Sequence, residues 1–263
     1  MSPSDEQLKD AAGAAARLGS QAAALRECGL CRLSGARTQV VFGVGSPVAD
    51  LMFIGEGPGF NEDKQGEPFV GAAGKLLTEL LASIGLKRED VYIANVVKCR
   101  PPENRDPLPD EIAACSPHLM EQVRTIRPRV VCTLGRFATR LIAETDAGMG
   151  AVRGRAKSTV VAGVPVLVFP VFHPAAALYT PANREVLQAD FMRLRRLLDR
   201  GVEALAGARP PDPDPASPPD ASPVEAPGVP PARPATPDDA SASSDESGPG
   251  HPRTGAAEQL PLW

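Results

Sequence analysis

Apolar residues cluster in short runs within 50–55, 91–97, 129–135 and 164–171. Each run is too short for a buried helix and rich in Val, Ile or Leu, so it predicts a strand buried on both faces. Around these runs, over 5–26, 72–84, 109–126, 136–144 and 183–200, the apolar residues follow a helical pattern, and Gly85 stops the second of these segments. Strands that alternate with helices are parallel strands joined by crossovers. The pattern therefore predicts an α/β fold, a three-layer α/β/α sandwich with a central, mainly parallel four-stranded sheet. Ligands in such folds bind beyond the carboxyl ends of the strands. Residues 55–59, Asn95 and His173 all fall there.

The pattern stops near residue 200, and composition explains why. Residues 201–258 are dominated by Pro, Ala, Ser and Asp, with too little apolar area to offset the entropy of ordering. They are expected to form a disordered linker between a domain at 1–200 and an apolar pentapeptide at 259–263. The segment 201–263 holds ten acidic and three basic residues, a balance of −7, so the formal −4 of the chain leaves +3 for residues 1–200. The folded part is mildly basic, and a polyanion partner would have to be held by a local patch. No run of 18 apolar residues occurs, and the start MSPSDEQLKD lacks the apolar stretch of a signal peptide. A cytoplasmic protein with no membrane partner is expected.

The stretch FIGEGPGFNEDKQGEPFVGAAGK, residues 53–75, mimics a phosphate-binding loop. A P-loop requires Gly, four residues, then Gly-Lys-Ser/Thr. Here Leu76 follows Gly74-Lys75, and Phe69 stands five positions before Gly74. The dinucleotide fingerprint fails as well, because Pro58 removes an amide and Asn61 and Glu62 stand where a glycine is needed. The glycines need another explanation.

Five cysteines are present, an odd number that suits no disulfide framework. Cys132, within RVVCTLG, is expected to be a small buried hydrophobe. Cys28 and Cys31 form a CxxC pair, and Cys99 and Cys115 flank a Pro-rich loop. Spacing alone leaves zinc and an iron-sulfur cluster both open, since each takes four thiolates.

Taken together, CGLC, IGEGPGFNEDKQGEPFVGAAG, NVVKCRPPENRDP, Cys115, RPRVVCTLGRFA and FHPAAAL resemble the family 4, iron-sulfur uracil-DNA glycosylases across most of residues 25–200. The resemblance implies that Cys28, Cys31, Cys99 and Cys115 hold a [4Fe-4S] cluster. It implies an enzyme that removes uracil from DNA, acting as a monomer near the nucleoid. A noncatalytic iron-sulfur DNA-binding module on the same fold is the alternative.

An enzyme acting on a base must extrude it and hold it by stacking and by hydrogen bonds to its Watson-Crick edge. By resemblance, Phe69 is the stacking aromatic, and Asn95 offers the donor and acceptor that read uracil O4 and N3–H. His173 matches the histidine that contacts uracil O2, where negative charge develops. His118, in a helical pattern, and His251, in the tail, match no such place. Gly55, Glu56 and Gly57 belong to the pocket, where missing side chains let backbone amides approach a flat base. Other branches of the superfamily carry a water-positioning aspartate at the place of Gly57; Glu56, one residue earlier, is expected either to orient water or to brace the loop, and Gly59 replaces an aromatic that excludes thymine. NVVKCRPPENRDP has neither the basic insertion nor the histidine by which a related branch links covalently to DNA.

Lys98, Arg100 and Arg105 around Cys99, and Arg153, Arg155 and Lys157 in AVRGRAK before a hairpin-like strand, are the expected phosphate contacts. Gln259, Leu260, Leu262 and Trp263, within the terminal QLPLW, resemble the QLxLF-type peptides that bind the bacterial sliding clamp, here at the end of a flexible tether.

Overall fold

A computed structural model describes residues 5–200. The linker 201–258 and the clamp-like peptide 259–263 expected from the sequence lie outside the described residues. In chain order the elements are α1 (Asp5–Leu25), β1 (Val44–Gly45), β2 (Leu51–Gly55), α2 (Phe60–Gln65), α3 (Ala72–Ser83), β3 (Tyr92–Asn95) and α4 (Pro109–Ile126), then β4 (Val130–Leu134), α5 (Arg136–Ala143), α6 (Met149–Val152), β5 (Lys157–Val161), β6 (Val164–Val171), α7 (Pro174–Tyr179) and α8 (Ala182–Asp199). None of the described helices is long and apolar enough to cross a membrane.

The strands form one sheet in the order β1-β3-β2-β4-β6-β5. Its four inner strands are mutually parallel, as the apolar runs predict. The four-stranded count itself is corrected to six, because β1 and β5 add antiparallel edges. Neither edge carries a buried run that periodicity could detect. β1 is two residues long, and in β5 only Val161 is buried. The β5–β6 hairpin turns on Ala162 and Gly163, with φ of 51° and 80°, the conformation that matches strand twist in a two-residue loop.

Alternate strand residues face two helical layers. On one side Met52, Ile54, Val131 and Val168 join Leu119 and Val123 of α4 and Ile142 of α5. On the other, Leu51, Phe53 and Phe169 join Leu77 and Leu80 of α3 and Phe191 of α8, and the Phe53 and Phe191 rings stack at 5.8 Å. Cys132 is fully buried in this second layer. Pairing of β2 with β3 continues past both strand ends, through Val96 N–H to Gly55 O at 2.9 Å and Val97 N–H to Glu56 O at 3.0 Å. The glycine loop is thereby clamped to the segment that leads to Cys99.

Candidate active site and cysteine cavity

Gly55, Phe69 and Asn95 meet at the carboxyl end of the sheet. Asn95 ends β3 and is 2 % exposed, and among the described residues its Oδ1 has no hydrogen-bond partner. A Cβ added to Gly55 would lie 2.5 Å from that Oδ1 and 2.7 Å from Phe69 Cζ. Only glycine lets the carboxamide and the ring pack over the end of β2. A buried acceptor left unsatisfied costs ~1–3 kcal/mol, so Asn95 is poised for a ligand donor.

Phe69 is buried and takes a left-handed φ of 55°. A non-glycine residue there costs roughly 1–3 kcal/mol and persists only where its surroundings hold it. Glu62 Oε1 accepts from the N–H groups of Val70 and Gly71 at 2.9 and 2.8 Å, and Arg88 donates to Pro68 O at 2.8 Å. The helix that follows completes the clamp. A Cβ on Gly74 would stand 1.9 Å from Phe69 O, so Gly74, the feature that mimics a P-loop, is there to admit the Phe69 backbone.

His173 caps α7, its Nδ1 accepting from Ala175 N–H at 3.2 Å, with its ring centroid 5.5 Å from that of Phe69. Burial lowers its pKa to about 4, against the opposing effect of Glu62. The ring is neutral at neutral pH, and with Nδ1 occupied as an acceptor its proton sits on Nε2. Glu56 lies on the loop between β2 and α2. Burial first, and then Asp106, raise its carboxyl to about 7, with Arg136 pulling the other way. Asp106 and Arg136 pair with each other at 2.9 Å.

Cys28, Cys31, Cys99 and Cys115 line a largely apolar cavity on the α1–α4 side, together with Leu25 and Val40. All five cysteines are free, and burial raises the Cys115 thiol to about 11 and the Cys99 thiol in the same direction. Arg37 donates to Cys28 O at 2.7 Å and to Cys99 Sγ at 3.4 Å, and Lys98 N–H donates to Cys115 Sγ at 3.2 Å. An all-sulfur donor set with N–H groups aimed at the sulfurs fits a thiolate-bound centre. Among the described residues, no three His, Cys, Asp or Glu side chains converge tightly enough to surround a single ion. His118, set aside on sequence, lines this cavity one turn beyond Cys115, and among the described residues its buried Nε2 has no partner.

The model of the uracil DNA glycosylase superfamily matches residues 42–195. The chain is 50 % identical over 179 residues to the type-4 uracil-DNA glycosylase of Saccharolobus solfataricus, covering 66 % of this chain and 83 % of that one. This chain belongs to the uracil-DNA glycosylase superfamily. Two further type-4 uracil-DNA glycosylases are similar. That of Archaeoglobus fulgidus is 48 % identical over 177 residues (66 % of this chain, 89 % of the relative), and that of Thermotoga maritima 42 % over 184 residues (67 % and 92 %).

Within this glycosylase fold the expected phosphate-contacting residues part company. Lys98 is corrected: it is 1 % exposed, its Nζ bonded to Asn95 O at 2.9 Å and Gln122 Oε1 at 2.5 Å, so it reaches no phosphate. Arg105 grips the buried Glu111 through both nitrogens, at 2.8 and 2.6 Å, and braces the loop after Cys99. Arg153 pairs with the buried Asp190 at 3.1 Å and lies over the Phe172 ring. Arg100 is engaged with Asn104 and the ring of Phe60, Lys157 donates to Ala143 O at 3.0 Å, and Arg155 is exposed. Sequence reasoning missed the positioning roles of Glu62 and Arg88, since each is defined by backbone groups that only the folded turn presents. It also missed Leu178 and Tyr179, 47 % and 86 % exposed on α7 just beyond His173.

Proposed function

We propose that this protein is a uracil-DNA glycosylase of base excision repair, which extrudes uracil from DNA and hydrolyses its N-glycosidic bond to leave free uracil and an abasic site. The unpartnered Oδ1 of Asn95 beside the Phe69 ring and His173 carries this reading. Uracil N3–H supplies the donor that Oδ1 lacks, and the carboxamide NH₂ donates to O4. Cytosine presents the reverse pattern and leaves both groups unpaired.

Cleavage sends the N1–C1′ electron pair into the uracil ring, and water oxygen bonds to C1′. The Nε2–H of neutral His173 donates to O2 as that negative charge forms, an effect worth ~3–4 kcal/mol of barrier. Glu56, in its ionised form, orients the water and takes up its proton. Leu178 and Tyr179 offer an apolar wedge for the gap left in the base stack. The exposed Arg136 and Arg155 supply backbone contacts.

Cys28, Cys31, Cys99 and Cys115 would hold a [4Fe-4S] cluster, whose chemistry here is that of a structural cross-link. The four cysteines line one cavity without converging on the position of a single ion among the described residues, which, together with the likeness to type-4 glycosylases, supports a cluster over zinc. The QLPLW peptide at 259–263 is proposed to bind the sliding clamp, on sequence alone. Deleting it should abolish clamp pull-down while uracil release from short oligonucleotides stays at the full-length rate; retained pull-down would reject this role.

The deciding experiment measures free uracil released from a uracil-containing oligonucleotide by iron-loaded protein. His173→Ala and Asn95→Ala should each slow release by roughly 10²–10³-fold. An intact, iron-loaded protein that releases none is not a glycosylase.

A further inference from the structure

Phe60 opens α2 directly after Gly59, at the end of the loop that carries Gly55–Gly57, and its side chain is 49 % exposed. It belongs to neither apolar layer of the core. Two cations converge on its ring instead, Lys64 Nζ at 4.4 Å and Arg100 Cζ at 5.1 Å from the centre. Lys64 lies one turn further along α2. Arg100 comes from the chain leaving β3, which is fastened to the glycine loop by Val97 N–H to Glu56 O at 3.0 Å. A Cβ added to Gly57 would lie 2.7 Å from Val97 Cγ2 and 3.8 Å from Pro101 Cδ, so residues 97–101 lie against the pocket loop and Phe60 stands where the two segments end together. Among the described residues neither cation pairs with a carboxylate, and Arg100 has a neutral partner, Asn104 Oδ1 at 2.8 Å. An exposed ring holds a cation only weakly, and two like charges drawn to one ring repel, so an anion completes the group. A half-bare π face with two cations beside it has the composition that holds a nucleotide of a single strand: the base stacks on the ring and the phosphate takes the charges.

We propose that Phe60, with Lys64 and Arg100, is a stacking platform for an unpaired nucleotide next to the extruded uracil on the same strand, and that it makes the enzyme favour uracil in single-stranded DNA. This rests on the glycosylase reading above. Binding exchanges one set of contacts for another. The base takes the ring face that Lys64 Nζ overlies, and the ammonium, on its flexible stem, moves to the phosphate of that nucleotide. In a duplex the neighbouring base is already stacked and paired, so the platform gains nothing until that pair opens.

The test uses full-length, iron-loaded protein and the same uracil-containing oligonucleotide as a single strand and as a duplex. Phe60→Ala should lower kcat/KM about tenfold on the single strand and much less on the duplex, with affinity for free uracil unchanged because the pocket is intact. A loss that is equal on the two substrates, or absent on the single strand, overturns the platform. Phe60→Trp should keep the activity on single strands and report the stack directly. Combined with Trp263→Phe, which removes the chain's only native indole, its fluorescence should be quenched when a single-stranded oligonucleotide binds, and a bound strand that leaves it unquenched also overturns the platform. Lys64→Ala should reduce the slope of log affinity against log salt for single strands by about 0.7, and an unchanged slope rejects its phosphate contact. Quenching needs no cleavage, so the two readings fail separately. Iron-loaded wild type that releases no uracil from either substrate refutes the glycosylase reading, whereas active wild type with a silent Phe60→Ala refutes the platform alone.

Discussion

Glu56 and His173 are titratable groups that burial pushes in opposite directions, the carboxyl up to about 7 and the imidazole down to about 4. Both shifts favour the neutral form, yet the proposed chemistry needs Glu56 ionised and His173 neutral. Acting as a base, Glu56 should make kcat/KM rise with pH through about 7. Glu56→Gln should be slower and should lose that limb, and a limb that survives the substitution assigns it to another group. Stability gives an independent check. A carboxyl whose folded pKa is raised contributes stability below its unfolded pKa, and this is lost as pH rises through the folded one. Wild type should therefore lose Tm relative to Glu56→Gln between pH ~5 and ~8. For His173 the sign is reversed: its depressed pKa contributes stability above about 6.5, lost as pH falls toward about 4.

Elements place these residues, and α3 shows how closely. Gly74 lies in its first turns, where alanine would normally stabilise a helix by ~1 kcal/mol. A Cβ there stands 1.9 Å from Phe69 O, and the Phe69 turn is already held at positive φ. Gly74→Ala should thus lower Tm despite its better propensity. It should also reduce kcat/KM at least tenfold by displacing the stacking ring, as thermal unfolding and uracil release would show; a more stable, fully active variant would mean the turn can relax. The inner strands and long helices were legible in the sequence because burial on both faces, or on one stripe, writes itself into apolar spacing. β1, β5 and the short helices α2, α6 and α7 were not, since elements of two to six residues with exposed positions carry no period. At the site, Asn95 and His173 stood out as polar residues closing apolar strands. The burial of Lys98 did not, because residue type and loop context both point such a lysine toward solvent, and only the packing of Gln122 and Phe42 around it reverses that.

At the scale of the whole molecule, the four cysteines bring to one cavity three segments that are distant in sequence: the turn after α1, the chain leaving β3, and the second turn of α4. Closing such long loops removes conformational freedom from the unfolded chain, so a centre bound there stabilises the fold by much more than its few contacts imply. Two of these segments, the turn after α1 and the chain leaving β3, are short of regular hydrogen bonding, whereas β2, β4 and β6 pair continuously inside the sheet. Iron removal should therefore act unevenly. Amide exchange should accelerate over residues 26–42 and 96–116 while β4 and β6 stay protected, and a loss of about 3 kcal/mol would lower Tm by roughly 6–12 °C. Because Val96 and Val97 bond the glycine loop, loosening the 96–116 segment also frees Gly55 and Glu56, so uracil affinity should fall with iron content. Exchange that rises equally in β4 and β6 would mean that the centre supports the whole domain as one cooperative unit, and exchange that rises nowhere would mean that the sulfur cavity is rigid without it.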